Sequence, residues 1–246
     1  MKYCVDCGTK LINRQLEKEG IIPYCPTCQK HIFPTFNSAI STVIFNASKD
    51  KILLIQQYHK KANILVAGYI NKGENANEAL VREVKEEVNL DIKNYIYNDN
   101  VYYEKTNTLI HNYTSFVKDE NFTLTSEVDF AKWYSIEEAI KVIKEKSLAK
   151  QFLFQTLHKQ GLSKYLLHYD TNRIYILDAY DQEVAEVTFI EKADACSINH
   201  TFVDASLRGL GIAKVLMEAV IAYIKSKNKN VEATCSYAVH YLEKNS

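Results

Sequence analysis

Residues 68–90, GYINKGENANEALVREVKEEVNL, hold Glu83, Glu86 and Glu87 three and four positions apart, just after Glu74 and Arg82. If residues 76–88 are helical, those three carboxylates project from about a quarter of the helix circumference and repel one another. No folding requirement places them there, and a bound divalent cation would remove the cost, so the stretch reads first as a hard-metal site. The bland alternative is a solvated acidic helix face. A second group is Cys4, Cys7, Cys25 and Cys28, spaced C-x2-C-x17-C-x2-C. That spacing brings four thiolates within reach of one tetrahedral Zn2+, against the alternative of a redox dithiol pair. A third is the run 206–213, where Arg208-x-x-Gly211-x-Ala213 would leave backbone N–H groups free at a helix N-terminus, a ready site for a diphosphate.

These groups need elements to hold them. Asn75 can cap a helix at 76–88, with Glu78 completing a capping box. Ala76, Leu80, Val84 and Val88 recur every four residues and would face a core. Asn89 falls where a left-handed residue should end the helix, and Leu90 supplies the apolar contact that follows such a cap. Gly68 and Gly73 let the preceding loop come close.

Strands are expected at 39–45 and 51–56, joined by a turn at 48–50, then at 94–104 and 109–117, and at 130–134 around Trp133. Ser135 with Glu138 opens a helix, and a second helix at 148–159 stops at Gly161. A fresh unit follows, with strands at 165–169, 173–179, 183–190 and 198–203, a helix at 211–227 and a strand at 231–237. The fold class is thus α/β (α+β), in three segments: 1–33, too poor in apolar side chains to fold without its metal; 34–160; and 161–246.

Thirty basic residues balance thirty acidic ones in the 246, so no global field draws in nucleic acid or an acidic membrane. The hydrophobic fraction of 47% is that of an ordinary globular chain, and no apolar run approaches the roughly 20 residues of a spanning helix. The N-terminus shows no apolar signal region, so the cytoplasm is the expected location. Neither a membrane nor nucleic acid is expected as a partner, and a homodimer is left open.

The spacing Gly68-x5-Glu74-x7-Arg82-Glu83-Val84-x-Glu86-Glu87-x-Asn89-Leu90 resembles the signature of Nudix hydrolases, with Asn89 in place of its last glycine. The resemblance covers about residues 36–146. It implies a mixed sheet between helices and Mg2+ or Mn2+ held by Glu83, Glu86 and Glu87. Arg82 would pair with a signature carboxylate, Glu74 would orient the loop–helix junction, and Glu127 would complete the metal cluster or act as base. Cations on the diphosphate would then let water attack it.

A cysteine ribbon ahead of such a domain resembles the NAD(H) diphosphatases. Their Ser-Gln-Pro-Trp-Pro-Phe-Pro array is absent, since all three prolines precede the signature. The tyrosines at 95, 97, 102 and 103 could stack on a base or simply pack. The substrate that the resemblance implies stays at the level of a nucleoside diphosphate linked to another moiety.

The passage 200–213 resembles the acetyl-CoA loop of small GNAT-like N-acetyltransferases. The resemblance implies that Arg208, Gly209, Leu210, Gly211, Ile212 and Ala213 cradle the cofactor diphosphate. Cys235, in Cys235-Ser236-Tyr237 ahead of Tyr241-Leu242, would then lie near the thioester as nucleophile or wall. A small buried apolar role for Cys235 weighs equally. Cys196 is read as core and His200 as strand packing. The expected function is metal-dependent hydrolysis of a diphosphate linkage, with a structural zinc ribbon in front and an acetyl-CoA-binding domain behind. The alternatives are acetyl transfer as the principal activity, or a non-catalytic nucleotide or CoA sensor.

Overall fold

The computed structural model describes residues 2–245. The chain forms two compact units, one running from the N-terminus to Ser38 together with Tyr102–Leu109, the other Ala39–Val101 with the chain from Ile110 onward. In the first, β1 (Ile12–Leu16), β2 (Gly20–Cys25) and β3 (Lys30–His31) pair antiparallel in that order. Among the described residues the core beneath them is Cys4, Cys25 and Ile32, with Leu11 and Cys28 against it. So few side chains are a weak anchor for three strands.

In the second unit the sheet is built on β4 (Asn37–Phe45), which is buried throughout residues 39–45 because both of its faces are covered. Its C-terminal end pairs with β5 (Lys51–Gln56) and its N-terminal half with β6 (Val66–Tyr69), both antiparallel. After α1 (Ala76–Val88) come β7 (Ile92–Tyr103), β8 (Thr108–Val117) and β9 (Phe130–Ser135), giving the order β7-β8-β4-β5-β9 with β6 off β4. The two-residue alternation of the strands sorts the side chains. Ile40, Ile44, Leu53 and Ile55 pack with Ala79, Leu80, Val84 and Val88 of α1. Val43, Phe45, Ile52 and Leu54 face the other way, toward α2 (Ile136–Val142) and α3 (Leu148–Lys159).

Beyond α3 a five-stranded sheet runs β10 (Leu167–Asp170), β11 (Arg173–Leu177), β12 (Glu183–Glu191), β13 (Ala195–Val203) and β14 (Asn230–Ala233). Its pairs are antiparallel except the last, which α4 (Ile212–Ser226) makes parallel by carrying the chain back. Ile212, Leu216, Met217, Val220 and Ile224 of α4 bury against Ile174, Val187, Phe189 and Ile198. That core is continuous with Phe152, Leu153 and Leu157 of α3, so the C-terminal sheet is not a separately packed body.

Several expectations are corrected. The last strand ends at Ala233 and not Tyr237, because the Thr234 and Cys235 N–H groups both turn onto the Ile198 carbonyl. The chain then forms α5 (Ser236–Lys244), which burying Ala238 anchors. The strand expected from residue 165 begins at Leu167, after a single 3-10 turn at Ser163–Leu166. His200 does not pack into its strand: its side chain is 58% exposed, 3.9 Å from Glu186. Cys196 is fully buried, as read.

Candidate functional site

The acidic stretch folds as its local chemistry requires. Asn75 accepts from the Asn77 and Glu78 N–H groups, and Glu78 reaches back to the Asn75 N–H, completing the capping box. Asn89 ends α1 in the left-handed conformation at φ 53°, and Leu90 is buried behind it. Leu80, Val84 and Val88 are fully buried, each contributing about 1.5–3 kcal/mol. That margin lets the same helix face carry two buried acids.

Those acids are Glu83 and Glu87, 7% and 2% exposed, whereas Glu86 stands in solvent. The three expected carboxylates thus divide between a buried pair and an exposed rim. Arg82 links them. Its guanidinium donates to both Glu74 oxygens at 2.7 and 2.8 Å, to Glu83 at 2.7 Å, to Glu86 at 2.8 Å and to the Tyr69 carbonyl at 2.9 Å. Glu74 also accepts from the Asn71 N–H at 2.9 Å, tying the loop to the helix. These contacts, Arg82 first, hold the Glu74 carboxyl down at about 2.

Gly68 has a different task from loop flexibility. A Cβ placed there would lie 1.9 Å from the Glu83 carboxyl carbon, so the Glu83 carboxylate rests directly against the β6 backbone. Burial pushes Glu83 upward in pKa, opposed by Arg82. Glu87 goes further, to about 8, driven by burial and opposed first by Gln57. The Gln57 side-chain amide donates to one Glu87 oxygen at 2.7 Å and the Ala67 N–H also favours the charged carboxyl, while the other oxygen is buried with no partner within hydrogen-bond distance among the described residues. An orphaned buried carboxylate oxygen costs about 1–3 kcal/mol or more, and a hard divalent cation is the group that suits it. Gln57 escapes a sequence reading because one glutamine after a strand carries no motif; its burial is the signal.

Glu127 is exposed, yet its charge is felt by both Glu83 and Glu87. A groove of about 560 Å3 joins it to Glu86, Asn89 and Thr123. Along the outer side of α1 a second groove, about 770 Å3, is lined by Glu74, Arg82, Glu86, Val81 and Tyr95. Tyr95 and Tyr97 are held edge-on against Tyr113, and both rings keep an exposed face.

Among the described residues, Cys4, Cys7, Cys25 and Cys28 form the group whose ligand atoms converge, all within 4.8 Å. The Cys4–Cys28 and Cys7–Cys25 sulfurs are 3.9 and 3.5 Å apart. Four sulfurs around a tetrahedral Zn2+ at about 2.3 Å stand about 3.8 Å apart, so the donor set fits. The signature carboxylates do not converge as tightly, since Arg82 bridges Glu83 and Glu86.

At the C-terminal end, Arg208 follows a 3-10 turn and Gly209 and Gly211 take φ of 79° and 76°. Gly211 is the N-cap of α4 and offers no side-chain hydrogen bond to the first-turn N–H groups. Cys235, half-buried at the start of α5, lies 3.6 Å from the Thr201 hydroxyl. Burial would raise its thiol, but hydrogen bonds from the Ala238 N–H, Thr201 and the Tyr237 N–H leave it below the ordinary value.

The NUDIX domain family matches residues 35–155, and the GCN5-related N-acetyl-transferase family matches residues 173–246. The NAD-capped RNA hydrolase NudC of Pseudomonas aeruginosa is 23% identical over 155 residues, which is 62% of this chain and 54% of that protein. The chloroplastic Nudix hydrolase 19 of Arabidopsis thaliana is 24% identical over 152 residues, 58% of this chain and 34% of that one. The chain thus spans about half or less of these relatives' length. A crystal structure of a NUDIX hydrolase from Nitrosomonas europaea superposes with a TM-score of 0.50 at 19% identity, covering 65% of this chain and 94% of that chain. No helix among the described residues is long and apolar enough to cross a membrane. The chain carries a NUDIX domain followed by a GCN5-related N-acetyl-transferase domain, with a four-cysteine cluster compatible with zinc ahead of both.

Proposed function

We propose that the segment 34–160 hydrolyses a diphosphate linkage in a nucleoside diphosphate derivative, a dinucleotide or nucleotide conjugate. The observation that carries this is the buried pair Glu83 and Glu87: Glu83 rests on the bare backbone of Gly68, and one Glu87 oxygen has no hydrogen-bond partner among the described residues. Glu83, Glu86 and Glu87 would hold Mg2+ or Mn2+, which when bound neutralises diphosphate oxygens and lowers the pKa of water. The chain's own residues do the rest. Arg82 holds Glu83 and Glu86 in register, and Glu74 holds Arg82. Gln57 pins one Glu87 oxygen so that the other stays presented. Glu127, whose charge is felt by Glu83 and Glu87, would take a proton from an attacking water. The name of NudC, an NAD-capped RNA hydrolase, supports a dinucleotide-like substrate.

Residues 1–33 would bind a structural Zn2+ through the four cysteines, and the segment 161–246 would bind acetyl-CoA through Arg208–Ala213, with Cys235 near the thioester. A cytoplasmic location belongs to the same proposal. The test is a panel of NAD(H), ADP-ribose, CoA and nucleoside triphosphates with and without Mg2+. Metal-dependent release of a nucleoside monophosphate is expected, and no turnover across the panel would overturn the hydrolase reading.

A further inference from the structure

A cavity of about 450 Å3 lies where α3 of the NUDIX domain meets the C-terminal domain. Gln151, Phe154 and Gln155 of α3 form one wall, and Tyr180, Arg208 and Leu210 form the other. The two walls are tied together at the rim: the Tyr180 hydroxyl donates to the Gln151 side-chain oxygen at 3.3 Å, and Lys146 lies 3.6 Å from Asp181. Since the core beneath is continuous across α3 and the C-terminal sheet, the cavity belongs to a rigid seam.

The lining chemistry is selective. One Asp178 oxygen is held by its own turn, accepting from the Tyr180 and Gln182 N–H groups at 2.8 and 2.9 Å. Asp99 is likewise occupied, by the Gln155 amide at 3.2 Å and the Asn100 N–H at 2.8 Å. Because the Asp99 carboxylate can only accept, Gln155 must present its NH2 to it and its oxygen to the Asn112 NH2. That orientation leaves the fully buried Asn112 oxygen without a partner, so the polar chain behind this wall is set by charge and is not free to flip. No carboxylate lies within ion-pair distance of Arg208 among the described residues, although its charge is felt by Asp204. Of the two lining cations, Lys159 donates to the Asn98 carbonyl, which leaves the Arg208 guanidinium as the one available to a ligand anion. Two aromatic rings, Phe154 and Tyr180, complete the lining, and Tyr180 is 45% exposed.

We propose that this seam cavity binds a phosphorylated nucleoside, with its base between the Tyr180 and α3 walls and its phosphate on Arg208, so that the NUDIX helix forms half of the site. The volume is in the range of small-molecule sites. The ligand is either the nucleotide end of a CoA-type cofactor or a free nucleotide. The inference deepens the assignment of Arg208–Ala213 as a cofactor turn and rests on it for the phosphate.

The experiment is calorimetric titration of the full chain with CoA and, separately, with adenosine 3′,5′-bisphosphate. The variants are Gln151→Glu, nearly isosteric and able to keep the Tyr180 bond, and Arg208→Gln. Lys159→Glu, on the exposed end of α3 at the same cavity, serves if Gln151→Glu fails to fold. Both walls should count: each variant weakens binding of either probe by about tenfold or more. Bisphosphate binding without CoA binding, lost in both variants, supports the seam site while removing the cofactor assignment. CoA binding that falls with Arg208→Gln but is unchanged by the α3 variants overturns the seam site and leaves the cofactor turn standing. No binding of either probe at millimolar concentration overturns both.

Discussion

Replacing Glu87 with glutamine should make the metal-free protein more stable above neutral pH while ending its chemistry. Unfolded, the Glu87 carboxyl titrates at its ordinary 4.5; folded and buried, it titrates at about 8. Between those values the folded chain keeps a proton that the unfolded chain has released. Stability due to this group is therefore full below 4.5 and falls as pH rises, by about 1.36 kcal/mol per pH step. From pH 5.5 to 8 the loss is roughly 3 kcal/mol, a large share of the 5–15 kcal/mol that holds a typical domain. Glutamine carries no such proton and can still accept from Gln57. Urea denaturation in EDTA at pH 5.5, 6.5 and 8 reads the difference. Wild type should lose midpoint across the series relative to Glu87→Gln, and Mg2+ should restore it at pH 8 only in wild type. Parallel pH curves for the two proteins would refute the reasoning.

Gly68→Ala drives a methyl group onto the Glu83 carboxylate, where its carbon would lie 1.9 Å away; displacing that carboxylate by about 1 Å should lower turnover about 100-fold, and an unchanged kcat would contradict the close approach. Chelation of zinc, or Cys25→Ser, should abolish amide protection in β1–β3 while α1 keeps its own, because the N-terminal core among the described residues is Cys4, Cys25 and Ile32. Equal protection with and without chelator would sink that. Alkylation of Cys235 by iodoacetamide should show a midpoint below the 9.0 of an ordinary thiol, owing to the α5 N–H groups and Thr201; a midpoint at or above 9.0 counts against it.

Much of the fold was legible because local rules and packing agree. Asn75, Glu78 and Asn89 mark the ends of α1 to the residue, and Ser135 with Glu138 marks the start of α2. The misplacements come where tertiary contacts override propensity. Residues 231–237 have strand-forming side chains, yet the Ile198 carbonyl captures two successive N–H groups and ends β14 early. The signature spacing located the carboxylates, but a helical wheel could not tell that Glu83 and Glu87 are buried while Glu86 is exposed. That division depends on β6 presenting a glycine to α1. Gln57 and the seam beside α3 were invisible for the same reason: each depends on elements distant in sequence meeting in space.

The signature carboxylates are proposed to carry metal-dependent diphosphate hydrolysis. The most direct measurement is Mg2+-dependent turnover of a dinucleotide diphosphate by wild type and by Glu86→Gln, whose exposed position leaves folding untouched. Turnover by wild type that falls about 100-fold or more in the variant, with unchanged circular dichroism and thermal midpoint, is the expected result. Equal turnover in the two proteins would contradict it.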